Sequence, residues 1–268
     1  MATTDTAFAG SIPGLYDRYL GPLLFEPYAA VVAERAKALA PGRILETAAG
    51  TGIVTAALHA ALPDAEIVAT DLNQAMLDVA ADRIQSDKVS FLAADAQQLP
   101  FDDESFDLVA CQFGVMFYPD KVLGNMQAWR VLRPGGRYIL AIWDRLDRNA
   151  ASHVVGGALA GVFPDNPAAF LERVPFGYHD VAQIEHDLLA AGFTDIELET
   201  IERRSRTGSA LDAATGLVQG TPVRAEIEPR GADALEQATE RATQALRQFE
   251  SADGFDAPMA AHVVVATK

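Results

Sequence analysis

Cysteine is almost absent: a single one, Cys111, occurs in 268 residues. No intrachain disulfide can form, so the fold must rest on a packed core, and a reducing, cytoplasmic setting is expected. Basic residues are also few. There are 21 Lys and Arg against 37 Asp and Glu, for a formal net charge of −16. Such a chain repels a polyanion on average, because nucleic-acid binding needs Lys and Arg to displace counterions from phosphates. The one basic cluster, Arg203-Arg204-Ser205-Arg206, reads as a solvated strand end, so the expected partner is a small molecule and not nucleic acid. No run of about 18 apolar residues occurs, which argues against membrane insertion. The opening MATTDTAFAG has no basic region followed by an apolar run, so no secretory signal is expected. No two of the five histidines stand at a metal-ligand spacing such as H-x3-H, and no metal site is expected.

Apolar surface is plentiful. Hydrophobic residues make up 50% of the chain, enough for one elaborated α/β domain. EPYAAVVAERAKAL reads as a helix, with Pro27 in its first turn and Pro41-Gly42 ending it. Strand and helix signals then alternate. RILE, AEIVATD, KVSFLAAD, SFDLVACQF and RYILAIW read as strands. TGIVTAALHAAL, NQAMLDVAADRIQ and DKVLGNMQAWRVL read as helices, the second capped by Asn73. The third carries an apolar stripe of Val122, Met126, Trp129 and Leu132, and Pro134-Gly135-Gly136 is expected to stop it. This alternation predicts a parallel sheet with helices on both faces, a Rossmann-like three-layer sandwich. Right-handed crossovers gather the strands' carboxyl ends on one edge, where ligands bind in such sheets.

The rhythm breaks after Asp144. Residues 145–179 hold Pro164, Pro167 and Pro175 between aromatics and read as a lid. DVAQIEHDLLAAGF returns to helix behind an Asp180 cap, TDIELETIERRSR is a long strand, and AHVVVATK a final strand. Between the last two lies an insertion, 209–250, helical from Ala234 to Phe249. The expected organisation is one domain over 1–268, with a core at 41–143 and helical lid insertions at 1–40, 145–179 and 209–250.

The chemistry concentrates where the first strand meets its helix, in ILETAAGTG. Six residues with little side chain, Thr47 to Gly52, follow the acid Glu46. Small residues let a backbone approach a ligand, and a helix start offers free N–H groups. A dinucleotide would need G-x-G-x-x-G, but Thr55 stands at the third glycine position. A carboxylate at the lip of the loop opposes a pyrophosphate and welcomes a ligand with a positive amino group, such as the amino-acid end of S-adenosylmethionine. Asp71 ends the second strand and suits a ribose, which does not separate that ligand from NAD. Asp95 ends the third, where an acid can accept from an adenine amino group, with Ala96 and Met76 against the ring.

ILETAAGTG, TDLNQAML, ADAQQLPFDDESFDLVACQFGVMFYPD and LRPGGRY, in that order and at those intervals, resemble the motifs of class I S-adenosylmethionine-dependent methyltransferases, in the small-molecule group similar to the ubiquinone/menaquinone C-methylating enzymes. The resemblance covers about residues 40–143. Glu46 stands where aspartate is commoner, and Ala48 where glycine is. The resemblance implies a seven-stranded sheet with an antiparallel last strand, and S-adenosylmethionine as cofactor with S-adenosylhomocysteine as product. It further implies that Glu46, Ala48, Gly50 and Gly52 hold the methionyl end, Asp71 the ribose with Leu72 beside the adenosine, Asp95 and Ala96 the adenine, and that Gln112 lies near the methionyl part. YDRYL resembles the entry segment that folds over the cofactor, through Tyr16 and Tyr19.

Methyl transfer from a sulfonium is an in-line displacement to which orientation alone supplies up to roughly 7–11 kcal/mol, and a base is needed only if the nucleophile must lose a proton. No residue is singled out as that base. Phe117, Trp143, His153, Tyr178 and His179 are the candidates to face a small acceptor. Two other functions fit the same motifs: a cofactor-binding regulatory or assembly protein without methyl transfer, and an NAD-dependent oxidoreductase, against which Thr55 and Glu46 argue.

Overall fold

The computed structural model describes residues 10–268. Residues 1–9, part of the segment 1–40 expected in the cap, lie outside the described residues. The chain divides into two compact units. One comprises Tyr28–Trp143, Tyr178–Ile201 and Ala261–Lys268; the other comprises the described part of Met1–Pro27 with Asp144–Gly177 and Glu202–Ala260.

The strands are β1 (Arg43–Thr47), β2 (Glu66–Asp71), β3 (Val89–Ala93), β4 (Phe106–Gln112), β5 (Leu132–Trp143), β6 (Thr194–Thr207), β7 (Glu250–Ser251) and β8 (Gly254–Thr267). They form one sheet in the order β3-β2-β1-β4-β5-β8-β6, with β7 paired to β8 alone. β1 to β5 are parallel to their neighbours, and β8 runs antiparallel to β5. The α/β class and the antiparallel last strand agree with the sequence. The strand count is eight, not seven, because Glu250–Ser251 folds back on Phe255–Gly254 as a short hairpin.

The order explains the burial. β4 lies between β1 and β5, and Leu108, Val109, Ala110 and Cys111 are wholly buried, as a central strand covered on both faces requires. From β1 the chain winds outward to β2 and β3, then returns to β4 and β5. With right-handed crossovers, helices Ile53–Ala61 and Gln74–Arg83 fall on one face and Lys121–Val131 on the other. The reversal between β1 and β4 opens a crevice at their carboxyl ends.

Four local expectations are corrected. Asn73 occupies the cap position, but its side chain does not cap the helix; its amide donates to Asp71 Oδ1 at 3.3 Å. β3 stops at Ala93, two residues before Asp95. Helix Lys121–Val131 buries Gly124, Asn125, Ala128 and Val131, while Met126 from the expected stripe is exposed. Pro134-Gly135-Gly136 does not separate helix from strand. Helix passes straight into β5, and these residues form a bulge: Leu132 pairs with Phe106 and Arg137 with Leu108, so most of the segment between them has no partner on β4. The backbone of Lys268 pairs with Gly135 and Gly136 instead, at 3.0 Å each.

The second unit is mainly helical. Helix Ala234–Leu246 buries Ala234, Ala238, Ala242 and Leu246, a stripe every fourth residue whose small side chains permit close packing against helices Ala210–Gln219 and Ala150–Val162. Ala210–Gln219 also packs on Tyr16–Phe25, a π-helical segment, where a Cβ on Gly216 would lie 2.8 Å from Leu20 Cδ2. Among the described residues no helix is long and apolar enough to cross a membrane.

Candidate cofactor site at the carboxyl edge of the sheet

Glu46 is the fourth residue of β1, facing Ala69 of β2 and Ala110 of β4 in register. Its neighbours are thus short and apolar, and it is only 1% exposed. It is therefore buried beneath the loop and not at its lip. Its Oε2 accepts from Thr55 Oγ1 at 2.6 Å, and its backbone carbonyl accepts from Thr70 Oγ1 at 2.9 Å. Burial pushes its pKa up to about 8; the Thr55 bond opposes this and the nearby Asp71 carboxyl adds to it. The acid expected to be negative is thus shifted toward its protonated form at neutral pH. Thr55, which the sequence presented only as a missing glycine, is its hydrogen-bond donor.

The loop that follows turns three times through left-handed backbone, at Ala48 (φ 54°), Gly50 (φ 57°) and Gly52 (φ 78°). Ala48 carries a methyl group into a conformation that favours glycine, a cost on the order of 1 kcal/mol. Gly52 needs its missing side chain twice: for φ, and because a Cβ would meet Ala80 Cβ at 2.8 Å. Asp71, at the end of β2, clamps the loop. Its Oδ2 accepts from Gly50 N at 2.9 Å and its Oδ1 from Asn73 N at 2.8 Å. Burial raises its pKa, and these hydrogen bonds oppose the rise. Thr51 was missed from sequence: its hydroxyl is buried in the same loop with no hydrogen-bond partner among the described residues.

The other expected cofactor residues are more open. Leu72 is 53% exposed, whereas Met76 is buried on the following helix, its Cε 3.6 Å from where a Gly50 Cβ would stand. Asp95 is exposed, its Oδ1 accepting from Gln97 N at 2.8 Å in a local turn, and Ala96 is half-buried. Gln112 ends β4, half-buried. Phe113 follows it with φ 55° and stacks on Trp143 at the end of β5, with ring centroids 3.7 Å apart and planes at 2°; Tyr28 stands edge-on to both.

Of the candidate acceptor residues, one ends β5 at the same edge. Trp143 is buried in that stack. The Tyr178 hydroxyl donates to Asp187 Oδ2 at 2.8 Å, with the Lys121 ammonium 5.1 Å from its ring centre, and burial first, then Asp187, raises the phenol's pKa. The His179 carbonyl lies 3.1 Å from Nε2 of buried His262, which pairs with Ile142 of β5. Phe117 is half-buried in the short turn Val115–Phe117. Tyr16, Tyr19 and His153 belong to the helical unit. There Tyr16 stacks on Phe25 at 4.7 Å, Tyr19 lies under the Arg18 guanidinium, and His153 is exposed.

Residues 45–140 match the family model described as "Methyltransferase domain". The chain is 35% identical over 178 residues to a demethylmenaquinone methyltransferase of Clavibacter sepedonicus, covering 62% of this chain and 72% of that one. It is 41% identical over 110 residues to a demethylmenaquinone methyltransferase of Deinococcus radiodurans, covering 40% of this chain and 46% of the relative. Among solved structures, the Bacillus subtilis YcgJ protein aligns with a TM-score of 0.59 at 18% identity, over 90% of this chain and 98% of that chain. The Haemonchus contortus phosphoethanolamine N-methyltransferase 2, solved with S-adenosyl-L-methionine, aligns at 0.62 and 17% identity, over 100% of this chain and 60% of that chain. These two likenesses show the fold. The chain belongs to the class I S-adenosylmethionine-dependent methyltransferases. It spans most of the Clavibacter relative's length and about half of the Deinococcus one's.

Proposed function

We propose that the chain transfers the methyl group of S-adenosylmethionine to a small apolar or aromatic acceptor of the kind named for its relatives, a quinone-type ring, leaving S-adenosylhomocysteine. The observation that carries this reading is the buried Glu46 carboxyl beneath a loop of left-handed turns. A cationic ammonium is the partner that would restore its charge, and the orphaned Thr51 hydroxyl offers a further hydrogen bond to the same end of the ligand. The residues therefore fit this cofactor better than a dinucleotide, whose pyrophosphate would face two buried carboxyls.

In this reading Glu46, Ala48, Gly50, Thr51 and Gly52 hold the methionyl end, and Asp71 takes the ribose while keeping the loop in place. Leu72 and Met76 flank the adenosine, Asp95 and Ala96 receive the adenine, and Gln112 borders the methionyl part. When bound, the cofactor supplies a methyl group on a sulfonium, open to in-line displacement. The protein's own contribution is orientation and exclusion of water, supported by the apolar stack of Phe113 on Trp143. Trp143, Phe117, Tyr178, His179 and His153 are the proposed acceptor-side residues, and Tyr16 and Tyr19 remain proposed cofactor contacts; His153, Tyr16 and Tyr19 lie in the helical unit. That unit contains most of 145–179 and 209–250, which supports reading these segments as one accessory fold. No metal is invoked: among the described residues no group of three or more His, Cys, Asp or Glu side chains is gathered to hold one. A cytoplasmic location and the exclusion of nucleic acid belong to the same proposal, supported by the buried single thiol and the acidic charge.

S-adenosylmethionine is expected to raise the melting temperature and NAD to leave it unchanged, and labelled methyl is expected to appear on a reduced quinone analogue. Stabilisation by NAD alone would remove the proposal.

A further inference from the structure

β1 and β4 are neighbours, and each opens into a loop through a strained residue: Ala48 follows Thr47, and Phe113 follows Gln112. A side chain from beyond β4 joins the two. The Tyr118 hydroxyl donates to Thr47 Oγ1 at 3.2 Å and lies 3.4 Å from Cys111 Sγ. With its own hydrogen on Thr47, the phenol oxygen takes the thiol's, so the three groups form one buried chain from sulfur to phenol to alcohol. Burial raises the pKa of both the phenol and the thiol, which keeps both hydrogens in place.

The ring that carries this hydroxyl is itself fixed. Gly124, one turn into the next helix, leaves room for it: a Cβ there would stand 2.5 Å from Tyr118 Cδ2. The Tyr118 amide donates to the Val115 carbonyl at 3.1 Å, and its carbonyl accepts from Lys121 Nζ at 3.1 Å. A second contact lies beside the first, where a Cβ on Gly114 would fall 2.4 Å from the Ala48 methyl. The spacing of the two loops is thus set at two adjacent points, one of hydrogen bonds and one of direct packing. Only the packing point would survive loss of the phenol oxygen.

We propose that Tyr118 is a positioning residue: through Thr47 and Cys111 it fixes the loop Ala48–Gly52 against the Gln112 corner, and so sets the affinity for S-adenosylmethionine without touching it. This rests on the cofactor site proposed above. It assigns a role to a tyrosine, a threonine and the single cysteine, none of which the chemistry of methyl transfer itself requires.

The test is calorimetric titration of S-adenosylmethionine into the full chain and four variants. Tyr118→Phe and Thr47→Val each break the same link and are each expected to weaken binding about tenfold. The double variant should be no weaker than either single one, because both changes remove one interaction. Thr47→Ser keeps the hydroxyl and should bind within about twofold of the parent, the scatter expected of a conservative change. If Tyr118→Phe fails to fold, the Thr47 pair reads the same bridge from the other side. A Tyr118→Phe protein with a lowered melting temperature and unchanged affinity would make the tyrosine structural only and overturn the proposal, as would equal binding by Thr47→Val and Thr47→Ser. A parent chain that takes up no S-adenosylmethionine would remove the cofactor site itself, and this inference with it.

Discussion

Replacing Glu46 by glutamine should stabilise the free protein and weaken its hold on the cofactor, and the two effects have one cause. The folded carboxyl titrates at about 8 against an ordinary 4.5. Between those values the unfolded chain has released the proton and the folded chain still holds it. The folded state then binds more protons, so stability falls as pH rises through this window; below about 4.5 the effect vanishes, and above about 8 it is complete. At about 1.4 kcal/mol per pH unit, the loss from this group between pH 5 and pH 8 is roughly 3–4 kcal/mol. Glutamine keeps an oxygen to accept from Thr55 and has nothing to ionise, so that slope disappears. Urea denaturation of parent and Glu46→Gln from pH 5 to pH 8 measures it: the curves should converge at the acid end and separate at the basic end, with the variant more stable. Binding runs the other way. A cationic ammonium beside Glu46 lowers its pKa, so uptake of S-adenosylmethionine near pH 7 should release close to one proton. Titration in buffers of different ionisation heat detects that release in the parent and not in the variant. Parallel stability curves, or proton release equal in both proteins, would show that Glu46 is not the buried acid described above.

Three further outcomes are expected. Asp71→Ala removes the acceptor of Gly50 N and of the proposed ribose, and should weaken S-adenosylmethionine by roughly 1.5–3 kcal/mol; unchanged affinity by titration would place the ribose elsewhere. Gly52→Ala sets a methyl group 2.8 Å from Ala80 Cβ at φ 78° and should cost about 2–3 kcal/mol, read from the urea midpoint; an unmoved midpoint would contradict the close packing of loop on helix. Phe113→Ala dissolves the stack on Trp143 and should cost about 3–4 kcal/mol and shift tryptophan emission to the red, and an unaltered spectrum would count against that stack.

The sequence by itself determined the sheet and the edge on which the candidate site residues lie. Alternating strand and helix signals from Arg43 to Trp143 are local facts: an apolar RILE or DLVACQ is buried in any α/β sheet. Once crossovers are right-handed, the carboxyl edge follows. The small-residue run after Glu46 and the acids at Asp71 and Asp95 were legible for the same reason, as each stands where a strand ends or just beyond.

What the sequence could not contain is distance between residues far apart in the chain. Whether Glu46 is charged depends on Ala69 and Ala110 lying beside it, and on a hydroxyl nine residues away turning inward; only packing decides that. The glycines of Pro134-Gly135-Gly136 read as a stop, yet became a bulge because Lys268 supplied the partners that β4 could not. Met126 obeyed the helical spacing of the expected stripe but faced outward, while Gly124 and Ala128 were buried and Gly124 left room for the Tyr118 ring. In one dimension Thr55 read only as a missing glycine, and neither Thr51 nor Tyr118 showed what its hydroxyl would meet. Their hydroxyls acquire meaning only where the fold buries them beside groups drawn from other strands, because a hydrogen bond is fixed by geometry and a desolvated charge by everything around it.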